Sequence, residues 1–128
     1  MKQVILLEDD PLLAIVQKKM LVNLGYDVIA TSTSGEEGLD KIKSLNPDII
    51  VSDQNLMGRM KGLEVIKTLR EENVHTPAII LSGDTTYEHL KKASIYKNLK
   101  PLAKPVALAD LKNTLLDLVE SSSAELIS

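Results

Sequence analysis

Residues 4–13 read "VILLEDDPLL": four apolar residues run into three consecutive carboxylates, Glu8, Asp9 and Asp10, and the run breaks at Pro11. The apolar part reads as a buried strand. The acidic part is costly there, because two unit charges about 4 Å apart repel by roughly 4 kcal/mol at an effective dielectric near 20. A cluster of this kind at a strand end calls for a cationic occupant.

Working outward, short apolar runs alternate with amphipathic stretches. "QVILL" (3–7) is followed by "PLLAIVQKKMLVNLG", where Leu12, Ile15, Val16, Leu21 and Leu24 have near-helical spacing and Gly25 supplies a stop. "YDVIAT" is a second strand. "SGEEGLDKIKSLN" opens on Ser34 as N-cap, with Glu37 as its capping-box partner, and ends at Asn46-Pro47. "DIIVSD" is a third strand whose continuous apolar run suits burial on both faces. "GLEVIKTLREEN", "PAIILSG" and "TTYEHLKKAS" follow as helix, strand and a shorter helix; "NLKPLA" is a weak fifth strand and "ALADLKNTLLDLVESS" a fifth helix. Five β–α units in series predict an α/β fold, a doubly wound five-stranded parallel sheet with five helices on its two faces, joined by right-handed crossovers.

Bulk properties agree with one such domain. A chain of 128 residues can bury about two thirds of its unfolded surface without cross-links. Hydrophobic content of 44% and charged content of 26% are ordinary for a globular protein, with residues 1–121 as the domain and 122–128, the end of "ESSSAELIS" (120–128), reading as a flexible tail. The absence of cysteine excludes a disulfide framework and thiolate-held metals, and leaves a cytoplasmic location unopposed. No stretch has the length of a membrane span or the pattern of a signal peptide. With 15 basic and 18 acidic residues the net charge is −3, so no basic face points to direct nucleic-acid binding.

In a sheet of this class, ligands bind beyond the carboxyl ends of the strands where strand order reverses. The residues there are Glu8-Asp9-Asp10 after the first strand, Asp53-Gln54-Asn55 after the third, Ser82-Gly83-Asp84 after the fourth and Lys104-Pro105 after the fifth. Hard oxygen donors without histidine or cysteine suit Mg²⁺ or Mn²⁺, and a lysine facing carboxylates is a point charge for a phosphoryl group.

An acidic pair, a single aspartate, a hydroxyl followed by a small residue, and Lys-Pro, each on its own strand end in this order, resemble the receiver domain of two-component response regulators. The resemblance runs from about residue 3 to 120. It implies the flavodoxin-like strand order 2-1-3-4-5 and a phosphorelay signalling role. Asp53 matches the phosphoacceptor, and Glu8 and Asp9 match the metal-binding acidic pair. Asn55 would add its backbone carbonyl to the metal. Lys104 matches the lysine that neutralises the phosphoryl group, Ser82 the hydroxyl that moves to it, and Gly83 the small residue that leaves the donor room. Pro105 follows a bond the family holds cis, and Asp84 is a supporting residue, read first as a cap and second as a group that tunes hydrolysis. Asp10 falls one place beyond the pair and is left outside the site. The implied partners are a sensor histidine kinase or histidine phosphotransfer protein as donor, and a downstream protein on the face of helix 4, strand 5 and helix 5. Such a module catalyses its own phosphorylation and dephosphorylation rather than the turnover of external substrates, and the chain offers little cap material for a phosphoesterase pocket. "PAIILSGDT" and "PLAKPV" are most similar to receivers attached to hybrid sensor kinases. The lack of an output segment after residue 121 implies a stand-alone or excised receiver.

Two departures stand out. The family's aromatic three residues before the lysine is Pro101 here, so a switch must run through Ser82, the Gly83-Asp84 loop and helix 4. The alternative this raises is a pseudo-receiver that binds partners without switching. The proline expected after the phosphoacceptor loop is Met57, and the interval from Asp53 to Gly62 is one residue longer than usual. Asp84 and Thr85 read as cap residues, Met57 and Met60 as loop-packing or partner-facing residues, and His75 and His89 as solvated surface.

Overall fold

A computed structural model describes residues 1–84 and 86–127, with the side chains at 87 and 121–127 set aside. The order is β1 (Gln3–Leu7), α1 (Pro11–Asn23), β2 (Asp27–Ser32), α2 (Gly35–Leu45), β3 (Ile49–Asp53), α3 (Gly62–Glu71), β4 (Ala78–Ser82), α4 (Tyr87–Ser94), β5 (Leu99–Ala103) and α5 (Leu108–Ile127). The strands form one sheet in the order β2-β1-β3-β4-β5, and every pairing is parallel. The expected doubly wound α/β architecture is therefore the observed one.

Alternation along the central strands explains how helices cover both faces. Val4 and Leu6 of β1 point to a cluster with Val51, Leu81, Leu111 and Leu115, on the side of α1 and α5. Ile5 and Leu7 point the other way, into a cluster with Ile42, Ile50, Val65, Ile66 and Ile80, on the side of α2 and α3. All five residues of β3 and of β4 are buried. Pro101, which has no N–H for a sheet ladder, lies in β5 at the sheet edge, where proline is tolerated.

Helix α1 differs from the pattern expected of it. Leu21 is buried and Leu24 packs on the α1/α5-side cluster, but Leu12, Ile15 and Val16 are 70%, 53% and 48% exposed. The inward face carries Gln17 and Leu21, four residues apart. The helix is apolar on most sides, so spacing alone does not single out the buried stripe. Ser34 caps α2 by accepting the Glu37 N–H at 3.1 Å, while the Glu37 carboxylate turns to Lys41 Nζ at 2.9 Å rather than serving as the expected box partner. Helix α5 continues to Ile127, past Ser122 where the pattern ends it, because Ala124, Glu125 and Leu126 are good helix formers. Ser128 lies outside the described residues.

Candidate functional site

The three carboxylates of the opening stretch have three separate surroundings. Glu8, only 2% exposed, accepts a 2.8 Å hydrogen bond from Gln17 Nε2 and a 3.2 Å contact from the Lys104 ammonium, both on Oε1. Asp9 stands at the rim with one carboxylate oxygen in a common group with Glu8 and Asp53. Asp10 turns away and caps α1, accepting the N–H groups of Leu12 at 2.9 Å and Leu13 at 3.2 Å.

Asp53 ends β3, and 4% of it is exposed. Its Oδ2 lies 3.0 Å from Lys104 Nζ, and its Oδ1 accepts the Asn55 N–H at 3.3 Å. Lys104 is brought in from the end of β5, whose register is fixed beside β4 by the Lys104 N–H donating to the Ser82 carbonyl at 2.9 Å. The Lys104–Pro105 peptide is cis. Burial by itself pulls the Lys104 ammonium down, but Asp53 and then Glu8 outweigh it and hold the group above its ordinary value. Asp9 is raised above the ordinary carboxylate value, first by partial burial and then by its hydrogen bond and repulsion with Glu8. One lysine thus pairs directly with two buried carboxylates, and its more distant charge offsets only part of the burial and repulsion at the third, Asp9.

Oxygen atoms of Glu8, Asp9 and Asp53 lie within 4.8 Å of one another. The donors are all hard carboxylate oxygens, with excess negative charge at Asp9, and this set fits a hard divalent cation.

Ser82, 4% exposed at the end of β4, accepts the Asp84 N–H on Oγ at 3.0 Å. A β-carbon added at Gly83 would meet nothing within 4 Å, so the space over the end of β4 is open. Asp84 does not itself cap α4: its Oδ1 accepts the Thr86 N–H at 2.9 Å, and Thr86 is the N-cap. That backbone bond from Thr86 holds the Asp84 carboxyl below its ordinary value. Thr85 lies outside the described residues.

Three contributors are absent from the sequence reading. Gln17 orients Glu8, and its signal is a polar side chain four residues before a buried leucine. Glu36 at the start of α2 accepts the N–H groups of Arg59 at 2.7 Å and Met60 at 2.9 Å, which fixes the path of the longer loop after Asp53. Its own backbone N–H first, then those of Met60 and Arg59, keep the Glu36 carboxyl below its ordinary value. Within that loop Leu56 is buried, Met60 packs on the α2/α3-side core and Met57 is exposed. The third is His89, expected on the surface but only 8% exposed on α4. It lies four residues before the buried Ala93, which is the spacing that marks an inward face. His75 is exposed.

Residues 4–116 match the family model described as the response regulator receiver domain. Among curated proteins, the probable C4-dicarboxylate response regulator DctR of Halalkalibacterium halodurans is 32% identical over 114 residues, 88% of this chain and 49% of that protein. The cell cycle transcriptional regulator CtrA of Caulobacter vibrioides is 41% identical over 83 residues, 65% of this chain and 35% of that protein. The chain thus spans about half the length or less of these relatives. Among solved structures, the signal receiver domain of a modulated diguanylate cyclase from Desulfovibrio desulfuricans superposes with a TM-score of 0.86 at 29% identity, covering 98% of each chain. A CheY-like receiver domain protein from Methanospirillum hungatei has the same fold at a TM-score of 0.85 and 21% identity. No helix among the described residues is long and apolar enough to cross a membrane. By its fold, the order of its strand-end residues and the match over residues 4–116, the chain belongs to the response regulator receiver domain family.

Proposed function

We propose that this receiver domain accepts a phosphoryl group on Asp53 from a partner phosphohistidine, in a step that requires a divalent cation such as Mg²⁺. The observation that carries the reading is the position of Asp53, buried at the end of a central strand with its carboxylate against Lys104 and in one oxygen cluster with Glu8 and Asp9. An Asp53 oxygen attacks the phosphorus, a new P–O bond forms, and the bond to the donor's imidazole nitrogen breaks with its electron pair leaving on that nitrogen. The product on this chain is a mixed carboxylic–phosphoric anhydride.

Each neighbour has a role derived from its place. The Asn55 N–H fixes the rotamer of the Asp53 carboxylate. Lys104, held by Asp53 and Glu8, is positioned to transfer its charge to the incoming phosphoryl oxygens. Glu8, Asp9 and Asp53, with the Asn55 carbonyl, would hold the cation, which when bound supplies charge neutralisation for the transferring group. Ser82 leaves the Asp84 N–H and turns its hydroxyl to the phosphoryl group, and the open space beside Gly83 and the Pro105 turn admits the donor. A sensor histidine kinase or histidine phosphotransfer protein is the class of donor this chemistry needs, and a downstream protein reading the face of α4, β5 and α5 is the class of recipient. A second reading, a receiver that binds partners without switching, is favoured by Pro101 alone.

Incubation with a small acyl phosphate and Mg²⁺, followed by intact mass, separates the two. Wild type is expected to gain one phosphoryl mass and Asp53→Asn none; an unmodified wild type selects the second reading.

A further inference from the structure

Between the end of β4, the first turn of α4 and β5 lies a small cavity of about 110 Å³, lined by Ser82, Asp84, His89, Leu90, Pro101 and Leu102 among others. A space of that size holds several waters and leaves room for an imidazole ring to turn. His89 is more than nine-tenths buried, and its Nε2 has no hydrogen-bond partner among the described residues. A buried, unpaired ring nitrogen is costly, and its persistence calls for a reason.

A chain of hydrogen bonds links this histidine to the rim. The Asp84 backbone N–H donates to Ser82 Oγ at 3.0 Å, the Thr86 backbone N–H donates to Asp84 Oδ1 at 2.9 Å, and the His89 backbone N–H donates to Thr86 Oγ1 at 3.4 Å, so the chain ends on the turn of α4 that carries the imidazole. When the Ser82 hydroxyl turns to a phosphoryl group on Asp53, the Asp84 N–H loses its acceptor and the first link opens. Pro101 borders the same cavity from β5, and its side chain, closed onto its own backbone nitrogen, cannot swing into it.

We propose that His89 is the mobile ring of this receiver: the departure of Ser82 from Asp84 releases the Asp84–Thr86–His89 chain, the imidazole turns within the cavity, and its Nε2 gains a partner. The signal then leaves on α4, with β5 nearly still. The inference rests on Asp53 being the phosphoacceptor, and its test distinguishes the two.

The protein has two histidines, so ring-carbon NMR resolves His89 against the exposed His75 as an internal control. On addition of beryllium fluoride with Mg²⁺, a mimic of the phosphoryl group, His89 ring signals are expected to move by several linewidths while those of His75 stay within one. In Ser82→Ala, compared at matched mimic occupancy read from the amides of residues 53–62, the His89 displacement is expected to vanish. In His89→Phe, which fills the cavity without a ring nitrogen, the amide response of residues 86–94 is expected to shrink while that of 53–62 persists. A stationary His89 ring beside responding 53–62 amides overturns the proposal, as does an equal displacement in Ser82→Ala or a full α4 response in His89→Phe. Silent amides at 53–62 in the wild type remove the phosphoacceptor reading, and this proposal with it.

Discussion

The Lys104 ammonium sits 3.0 Å from the Asp53 carboxylate and is the counter-charge that lets this aspartate be buried at the end of β3. Removing it leaves Asp53 and Glu8 as facing carboxylates. Lys104→Ala is expected to destabilise the metal-free protein by about 1 to 3 kcal/mol, less than a fully enclosed pair would cost because the lysine is partly exposed. It should still bind Mg²⁺ but accept phosphate poorly. Because Lys104 is raised above its unfolded value of 10.5, its stabilising contribution is full below that pH and lost as pH rises through the folded value. Urea melts at alkaline pH should therefore show a loss in wild type that the alanine variant lacks.

Asp9 carries the opposite sign. Its carboxyl is raised, so its contribution is most favourable below the unfolded value of 3.8 and is lost as pH rises through the folded value. At neutral pH without metal, Asp9→Asn is expected to be as stable as wild type or more so, by about 1 to 2 kcal/mol, because the roughly 4 kcal/mol repulsion of such a pair is offset in part by Lys104 and by the exposure of Asp9. The same variant should lose Mg²⁺ binding and phosphorylation. Thermal melts with and without Mg²⁺ check both halves, and unchanged labelling of Asp9→Asn would defeat the assignment.

Gly58 and Glu36 hold the loop beyond Asp53. Gly58 has φ +85°, and a β-carbon there would press on the Glu36 carboxylate, so Gly58→Ala is expected to cost about 1 to 3 kcal/mol, chiefly from backbone strain, and to displace Glu36 from the loop amides. Glu36 is lowered below its unfolded value of 4.5, so its contribution is present above that pH and lost as pH falls through the folded value. The protection factors of the Arg59 and Met60 amides, which correct for the intrinsic exchange rate at each pH, should fall in Glu36→Ala and on acidification of wild type, while Glu36→Gln keeps an acceptor and loses the acid dependence.

The two faces of α1 give a packing test. Leu21→Ala, at a fully buried site, is expected to cost about 2 to 5 kcal/mol, whereas Ile15→Gln on the exposed side should stay within about 0.5 kcal/mol. Denaturant midpoints at equal m-value measure both.

The β–α alternation and strand-end residues were legible in the sequence because short apolar runs and abrupt polar stops are local signals. The outward face of α1 was not, since a helix apolar on most sides has no single stripe for spacing to find. Gln17, Glu36 and His89 escaped for a related reason: each is defined by what crosses from another element, a Glu8 carboxylate, two loop amides or the cavity beside β5. Asp10 falls one place beyond the acidic pair in the sequence, and its role is local: it accepts the Leu12 and Leu13 N–H groups and caps α1.

The central claim is the identity of the nucleophile, and borohydride reduction tests it most directly. After exposure to a small acyl phosphate with Mg²⁺, reduction converts an aspartyl phosphate to homoserine and marks the residue permanently. Peptide mass mapping is expected to find homoserine at position 53 only, dependent on Mg²⁺ and on Asp9. Homoserine at position 9, 10 or 84, or none at 53 in a protein shown to bind Mg²⁺, would contradict the account.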